Sequence, residues 1–181
     1  MTQATELAAY RRPETDEYKP YYGQYIDVVP QDNILEILES QIDELQRVLE
    51  GIDESEAAKT HAPYTWTIKQ VVGHMIDCER VFGYRALRFA SGDAQPIPGF
   101  EQNDYVDNTD YDRATLADLT SELKCSRRAH AKFFRRIAPA AWDRQGTADG
   151  ASISVRAIAY IMAGHLIHHL EIIRQRTAEK I

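Results

Sequence analysis

Three histidines lie close together near the carboxyl end of the chain, at His165, His168 and His169. Residues 158–173 around them are mostly apolar, which is typical of a helix that faces a protein core. Side chains four residues apart lie above one another on a helix, so His165 and His169 can reach the same metal ion. Because neutral imidazole is the commonest metal ligand, the spacing predicts half of a metal site. The alternative is a pair of hydrogen-bonded core histidines.

A helical wheel separates the three histidines. With about 100° of rotation per residue, His169 falls at the centre of the apolar stripe and His165 roughly 40° from it. His168 falls roughly 300° from His165, towards the polar side on which we expect Arg156 and Arg174. We therefore expect His165 and His169 to be the ligands, and His168 to be solvated or at the rim of the site.

A third ligand is needed, because catalytic zinc has three protein ligands and one open position, whereas structural zinc has four. His74 is the best candidate, since it lies at the edge of the apolar face of a second predicted helix. Cys78, one turn later on the same side, is a second candidate. Such a metal lowers the pKa of its bound water to about 7, and a substrate thiol could replace that water. Three imidazoles suit zinc, nickel, copper or iron.

Arg85 falls within the apolar face that contains His74. A cation in such a face is unfavourable unless it is paired or solvated, so Arg85 either forms a buried ion pair or faces a substrate. No clear general base accompanies these residues: Glu79 points away on the wheel, and Asp77 is only a candidate. His130, in the apolar stripe of the third predicted helix, is expected to be a packed core histidine.

Several other kinds of function are not supported. The HExxH motif of zinc proteases, the paired ExxH motif of di-iron bundles and a nucleophile elbow are all absent. A net charge of -7 disfavours nucleic acid as a partner. The one basic cluster, Arg127 to Arg136, is expected on the solvated side of a helix.

The periodicity of apolar residues predicts four amphipathic helices, at about residues 33–50, 67–90, 115–137 and 154–177. Each begins after a residue that can cap a helix, namely Asp32 or Asn33, Thr67, Thr115 and Ser154. No segment alternates convincingly as a strand. These features predict an all-α four-helix bundle, and the long connections can cross over as well as turn back.

Residues 1–31 are expected to form an extended arm packed on the bundle, because Pro13, Pro20 and Pro30 interrupt helices. Residues 32–181 would then form the bundle, within one domain overall. We find no apolar signal segment and no apolar run long enough to span a membrane. With only two cysteines, Cys78 and Cys125, the composition favours a reducing compartment, and we expect a cytoplasmic protein.

The chain resembles the DinB-like (DinB/YfiT-like) superfamily of metalloenzymes over nearly its whole length. The residues that carry this resemblance are Arg12-Pro13, Glu17-Tyr18, Tyr21-Tyr22 to Tyr25, Trp66-Thr67-Ile68-Lys69-Gln70-Val71-Val72-Gly73-His74, Glu79-Arg80, Tyr84-Arg85, Pro98-Gly99-Phe100, Gly164-His165 and His168-His169. The resemblance implies a four-helix bundle, often a homodimer, with nickel or zinc held by His74, His165 and His169. Characterised relatives include thiol-dependent transferases and a mycothiol-dependent isomerase.

These observations favour a divalent-metal-dependent enzyme, a thiol S-transferase or a hydrolase, that acts on a small molecule. Arg85 would anchor an anionic group of the substrate, and a low-molecular-weight thiol is the expected partner. The alternative is a non-catalytic metal-binding module with a stress-response or binding role. Cys78 and the extra His168 depart from the family pattern and leave the ligand set open.

Overall fold

Four long helices form the body of the protein in the computed structural model, which describes residues 10–177. They are α1 (Ile34–Leu49), α2 (Ile68–Ala90), α3 (Leu116–Arg136) and α4 (Val155–Thr177). The predicted helical bundle is confirmed, and its helix boundaries agree closely with those expected from the sequence.

The helices begin at the predicted capping residues. The Asn33 side chain accepts a hydrogen bond from the backbone N–H of Leu35 at the start of α1. Thr67 and Thr115 each form a complete capping box, and Ser154 Oγ accepts from the Ala157 N–H at 2.9 Å. These contacts satisfy N–H groups that have no partner within the helix, so local sequence determines where each helix starts.

Shorter elements occupy the connections and the amino-terminal segment. Short α-helices lie at Gly23–Ile26, Glu54–Ala57 and Gln102–Asp107, and 3₁₀ turns lie at Thr15–Glu17, Pro20–Tyr22, Tyr111–Arg113 and Pro139–Ala141. The expectation that prolines exclude helix from residues 1–31 is therefore wrong for the described part. Pro20 occupies the first position of its turn, where a missing N–H does no harm.

A β-hairpin lies between α3 and α4, where no strand was expected. Strands β1 (Gln145–Ala148) and β2 (Ala151–Ser154) pair antiparallel. The two residues between them, Asp149 and Gly150, have φ angles of 51° and 72°, as a type I′ turn requires. The strands are too short for alternation to reveal them, although the Asp-Gly pair is a hairpin signal.

Among the four long helices, α2 and α3 are the one consecutive pair that packs side by side. Helix α1 packs against α3 and α4, and α2 packs against the same two helices. The consecutive pairs α1–α2 and α3–α4 therefore lie across the diagonals of the bundle. The long connections make this arrangement possible, and it places α2 directly beside α4.

A buried polar cluster joins all four helices. Arg127 of α3 donates to Glu79 of α2 at 2.5 Å, to the Gln41 side chain of α1 and to the carbonyl of Met162 in α4 at 2.8 Å. His130 Nδ1 lies 2.8 Å from the second Glu79 oxygen. The expectation that Arg127 lies on a solvated helix face is wrong, because its charge is paired inside the bundle.

Helix α4 is buried on every side over its first three turns, so it has no polar face there. Arg156, expected on such a face, is buried and forms ion pairs with Glu17 at 3.0 Å and Asp143 at 2.6 Å. The amino-terminal segment and the loop before the hairpin supply these carboxylates and cover the helix. Within residues 10–177, no helix has the length and apolar character needed to cross a bilayer.

Candidate metal centre

Three histidine rings converge where α2 meets α4. The Nε2 atom of His165 lies 3.1 Å from Nε2 of His74 and 3.1 Å from Nε2 of His169. All three side chains are buried, and one nitrogen of each lies within 4.8 Å of the others. The predicted spacing of four residues thus brings two rings together on α4, and α2 contributes the third.

Burial keeps these rings neutral. It lowers the pKa of His74 to about 4, an effect that the nearby Asp77 opposes in part. Burial also lowers the pKa of His165 and His169 well below the usual range, and the neighbouring imidazoles lower both further. Neutral imidazole is the form that donates a lone pair to a metal.

The geometry of the three nitrogens fits a divalent cation. Two ligands about 2.0–2.1 Å from a tetrahedral zinc lie roughly 3.3 Å apart, close to the 3.1 Å that separates Nε2 of His165 from Nε2 of His74 and of His169. Each Nε2 of a neutral ring either donates one hydrogen or accepts one through its lone pair, so hydrogen bonds among the three Nε2 atoms cannot satisfy all of them. A cation can instead accept the lone pairs of all three. In the described part of the chain, the Nδ1 atom of His169 has no hydrogen-bond partner, so that ring is oriented by packing and by its Nε2 contact.

The two residues that left the ligand set open lie beside the three histidines. The half-buried His168 ring packs against Tyr25, with ring centroids 5.5 Å apart, and does not join the converging set. The Cys78 Sγ lies 3.7 Å from both ring nitrogens of His74 but is not among the atoms that converge. Burial raises the pKa of Cys78, so its thiol is protonated in this environment.

The nearby carboxylates are engaged elsewhere. Asp77 accepts hydrogen bonds from the Tyr111 hydroxyl and from Arg80. The wheel predicted only that Glu79 points away from His74. In the structure it accepts a hydrogen bond from Arg127 inside the bundle. Within the described part of the chain, the converging cluster consists of histidines alone.

Two cavities with no lining residue in common reach these histidines. The first, the arm-side cavity, has a volume of about 310 Å³ and is lined by His165, Cys78, Phe82, Phe100 and three tyrosines of the amino-terminal segment. The second, the Trp66-side cavity, has a volume of about 300 Å³ and is lined by His169, Trp66, Tyr64, Ile172 and Arg176. A wider groove of about 470 Å³ between α1 and α3 includes none of the three histidines.

Arg85 lies behind the wall of the arm-side cavity and is only 1% exposed. Its guanidinium lies over the rings of Phe82 and Phe100, with its Cζ atom 5.6 and 5.7 Å from their centroids. The Nη2 atom donates to the Pro98 carbonyl at 3.4 Å, whereas Nε has no partner within residues 10–177. The ion pairs of residues 10–177 do not include Arg85. The sequence left two interpretations of Arg85, and the one that requires a buried ion pair therefore finds no partner in this part of the chain.

Arg176 is a second buried arginine, which the sequence analysis did not identify. It is 7% exposed and lies beside His169 in the Trp66-side cavity. On the α4 wheel it falls roughly 20° from His165, inside the apolar stripe. The same signal that singled out Arg85, a cation within an apolar face, would have identified it.

The amino-terminal segment forms one wall of the arm-side cavity. Tyr25 places its ring edge against His165, with centroids 5.2 Å apart. The segment is held by Arg12, which donates to the carbonyls of Ile26 and Val29, and by Lys19, which pairs with Asp149 at 2.5 Å. The segment thus shields the three histidines from solvent on this side.

Comparisons with known proteins agree with this fold. The structure of YfiT from Bacillus subtilis, described as a probable metal-dependent hydrolase with an unusual four-helix bundle topology, matches with a TM-score of 0.75 and 17% identity. The match covers 90% of this chain and 93% of that one. The mycothiol-dependent maleylpyruvate isomerase matches with a TM-score of 0.64 and 15% identity, over 80% of this chain and 61% of that one. These identities establish similarity of fold alone.

No curated protein matches the chain in sequence. The model of the DinB superfamily matches residues 37–173, which include α2, α3 and all three converging histidines. A match of this extent covers most of the chain, and the arrangement of the helices agrees with it. The chain belongs to the DinB superfamily.

Proposed function

We propose that this protein is a divalent-metal-dependent enzyme, either a thiol S-transferase or a hydrolase, that acts on a small molecule. The convergence of three neutral Nε2 atoms next to the arm-side cavity carries the proposal. His74, His165 and His169 would hold the metal, and zinc or nickel suits three imidazoles. When bound, the metal would supply Lewis acidity to a water molecule or to a thiol.

The surrounding residues would bind and orient the substrate. Phe82 and Phe100 offer an apolar surface, and the amino-terminal tyrosines restrict access of water. Arg85 would anchor an anionic group, because its guanidinium has an unpartnered N–H and no ion pair within residues 10–177. Its contact with the two phenylalanine rings fixes the direction in which that charge acts.

A non-catalytic metal-binding module remains the second candidate, and one observation favours it. Asp77 and Glu79, the carboxylates nearest in sequence to His74, are both engaged in other hydrogen bonds. The site therefore lacks a free carboxylate base on this stretch of α2. In a module of this kind the metal would only join α2 to α4.

We also propose a cytoplasmic homodimer with no nucleic-acid or membrane partner. The free cysteines Cys78 and Cys125 support the cytoplasmic location. The net charge of -7 supports the absence of a nucleic-acid partner. Tyr84 and Leu87, exposed one turn apart on α2, support a dimer surface. Sedimentation equilibrium tests the dimer, and a monomeric mass at micromolar concentration would contradict it.

Metal content tests the proposed metal site. Plasma emission spectroscopy of the purified protein should find one zinc or nickel ion per chain. The His165→Ala variant should contain no bound metal. His168→Ala is the matched control and should keep its metal, because that ring does not join the cluster. Equal metal content in the wild type and the His165→Ala protein would instead indicate core histidines.

Turnover distinguishes the enzyme from the module. A panel of low-molecular-weight thiols is assayed with an electrophilic acceptor, together with ester and amide substrates for hydrolysis. For an enzyme, activity should disappear on chelation and return with zinc or nickel. A fully metal-loaded protein without turnover on any of these substrates would favour the module.

A further inference from the structure

The Trp66-side cavity reaches the metal centre independently of the arm-side cavity. His169 lines it directly, and the Trp66 ring in its wall packs against His74 with ring centroids 5.0 Å apart. Its volume of about 300 Å³ is sufficient for a small organic molecule. The proposed function uses the arm-side cavity, so this second space has no role yet.

One nitrogen of Arg176 in this cavity lacks a partner. Its Nη2 donates to the Trp66 carbonyl at 2.8 Å and its Nε donates to His61 Nδ1 at 3.3 Å. Its Nη1 has no hydrogen-bond partner among residues 10–177, although Arg176 is more than nine-tenths buried. A buried donor without an acceptor is unfavourable by about 1–3 kcal/mol, so an acceptor from a ligand would be stabilising.

Within residues 10–177, the charge of Arg176 also has no direct counter-ion. Its hydrogen-bond acceptors are carbonyl oxygens and the neutral nitrogen of His61. Because His61 Nδ1 accepts from Arg176, the ring proton lies on Nε2, which donates to Glu56. The Glu56 carboxylate therefore stands one imidazole away from Arg176. The ion pairs of residues 10–177 do not include Arg176.

The walls of the cavity complement an organic acid. The Tyr64 ring lies 5.3 Å from the Arg176 guanidinium carbon, and Trp66 and Ile172 add apolar surface. We infer that this cavity binds a small monocarboxylate, whose carboxylate accepts from Arg176 Nη1 while its apolar body lies against Tyr64 and Trp66. This inference rests on the proposed function and gives it a second substrate site, next to His169.

Binding of phenylacetate to the zinc-loaded protein tests the inference. The chain has two tryptophans, so Trp142→Phe leaves Trp66 as the only tryptophan. Trp142 is buried in a different part of the core and is absent from this cavity. Phenylacetate should change Trp66 emission saturably, and uncharged phenylacetamide should bind about 10- to 100-fold more weakly, as loss of a charged hydrogen bond predicts.

Variants locate the binding. Arg176→Gln should weaken phenylacetate binding about 10- to 100-fold, whereas Arg174→Gln, an exposed arginine on the same helix, should not. Arg176 also holds the carbonyls of Lys59 and Trp66, so its variant could unfold that loop. Ile172→Trp fills the cavity without removing any Arg176 contact, and it should abolish binding while the melting temperature is kept.

Proximity to the metal separates this inference from the proposed function. With cobalt in place of zinc, protons of bound phenylacetate should relax faster, and Ile172→Trp should remove the effect. Equal affinity for acid and amide, or unchanged affinity in both cavity variants, overturns the inference even if the enzyme turns over. A protein that binds phenylacetate beside cobalt but has no activity keeps the carboxylate site and refutes only the proposed catalysis.

Discussion

Glu79 is the residue on which the polar centre of the bundle depends. Its two oxygens accept from Arg127 and His130, and all three contacts lie between α2 and α3. Burial alone would raise the pKa of Glu79, but the positive charge of Arg127 and the hydrogen bond with His130 outweigh it and lower the pKa below 4.5. Glu79 is therefore ionised at neutral pH, and Arg127 is neutralised inside the core.

Substitution Glu79→Gln should destabilise the protein by about 3–5 kcal/mol, because it leaves the Arg127 charge buried without a partner. Glu122→Gln, which removes an exposed pair with Arg80, is the matched control and should change stability by less than about 1 kcal/mol. Urea denaturation at pH 7 measures both. Equal stability of the two variants would mean that the buried pair contributes no more than the exposed one.

The same carboxylate should make the stability of the protein depend on pH. An unfolded glutamate titrates near 4.5, and the folded pKa of Glu79 is lower, so the unfolded state binds the proton first. The stability that this group contributes is present above pH 4.5 and is lost as the pH falls through the folded pKa. Urea midpoints measured downwards from pH 6 should fall more steeply for the wild type than for Glu79→Gln. Parallel profiles would contradict the assignment.

Residue by residue, the sequence predicted the convergence of the histidines better than the placement of the arginines. The spacing from His165 to His169 defines one helix face whatever packs against it. Arg127 and Arg156 were misplaced because an amphipathic wheel assumes one solvated face, and their partners come from distant segments. Arg176 was overlooked, although its position in the apolar stripe made it as unusual as Arg85.

Among the elements, the amino-terminal segment depends most on one contact with α4. A Cβ atom at Gly164 would overlap the backbone carbonyl of Tyr25. Backbone atoms cannot rotate away as a flexible side chain can, so glycine is required for the segment to lie this close to the helix. The same approach places the Tyr25 ring against His165 in the wall of the arm-side cavity.

Substitution Gly164→Ala should therefore destabilise the protein by about 1–3 kcal/mol through overpacking. Helix propensity alone would favour alanine by about 1 kcal/mol, so a loss of stability isolates the steric effect. Hydrogen exchange at residues 20–29 should accelerate as the segment moves away from α4. Gly51→Ala, where a Cβ meets nothing within 4 Å, should stay within about 0.5 kcal/mol of the wild type. Unchanged exchange in Gly164→Ala would show that the segment adapts.

Elements with local signals were predictable, and those that depend on tertiary contacts were not. The capping boxes at Thr67 and Thr115 involve residues three apart, so sequence suffices to place them. The hairpin at Gln145–Ala148 and Ala151–Ser154 has strands of only four residues, which are too short to show an alternating pattern. Their register follows from the pairing between them, which a single strand's sequence does not reveal. The Asp149-Gly150 pair is the local signal for this hairpin in the sequence, and it was overlooked.

At the scale of the whole molecule, the order of the helices could not be derived from their faces. Each amphipathic stripe shows which face of a helix packs inward, but it does not determine which other helices are adjacent. In this bundle two consecutive pairs, α1–α2 and α3–α4, lie across the diagonals, and α2 lies beside both α3 and α4. That topology joins His74 to two histidines that are more than ninety residues later in the chain. The convergence of the three histidines therefore depends on the global fold rather than on any local motif.

Because the proposed metal would join α2 to α4, its removal should lower stability without unfolding the bundle. A ligand that binds only the folded state stabilises it by about 4 kcal/mol when its free concentration is a thousandfold above Kd. Two apolar clusters, one centred on α4 and the arm and the other on α2 and the loops at the opposite end, remain when the metal leaves. Chelation should thus shift the urea midpoint of the wild type downwards while the helical circular dichroism at zero urea is unchanged.

The His168→Ala protein should respond to the chelator as the wild type does. The His165→Ala protein should already have the lower midpoint, and the chelator should not change it. Loss of helical signal on chelation would mean that the apolar clusters do not suffice, and identical midpoints with and without metal would mean that the ion does not bind the folded state preferentially.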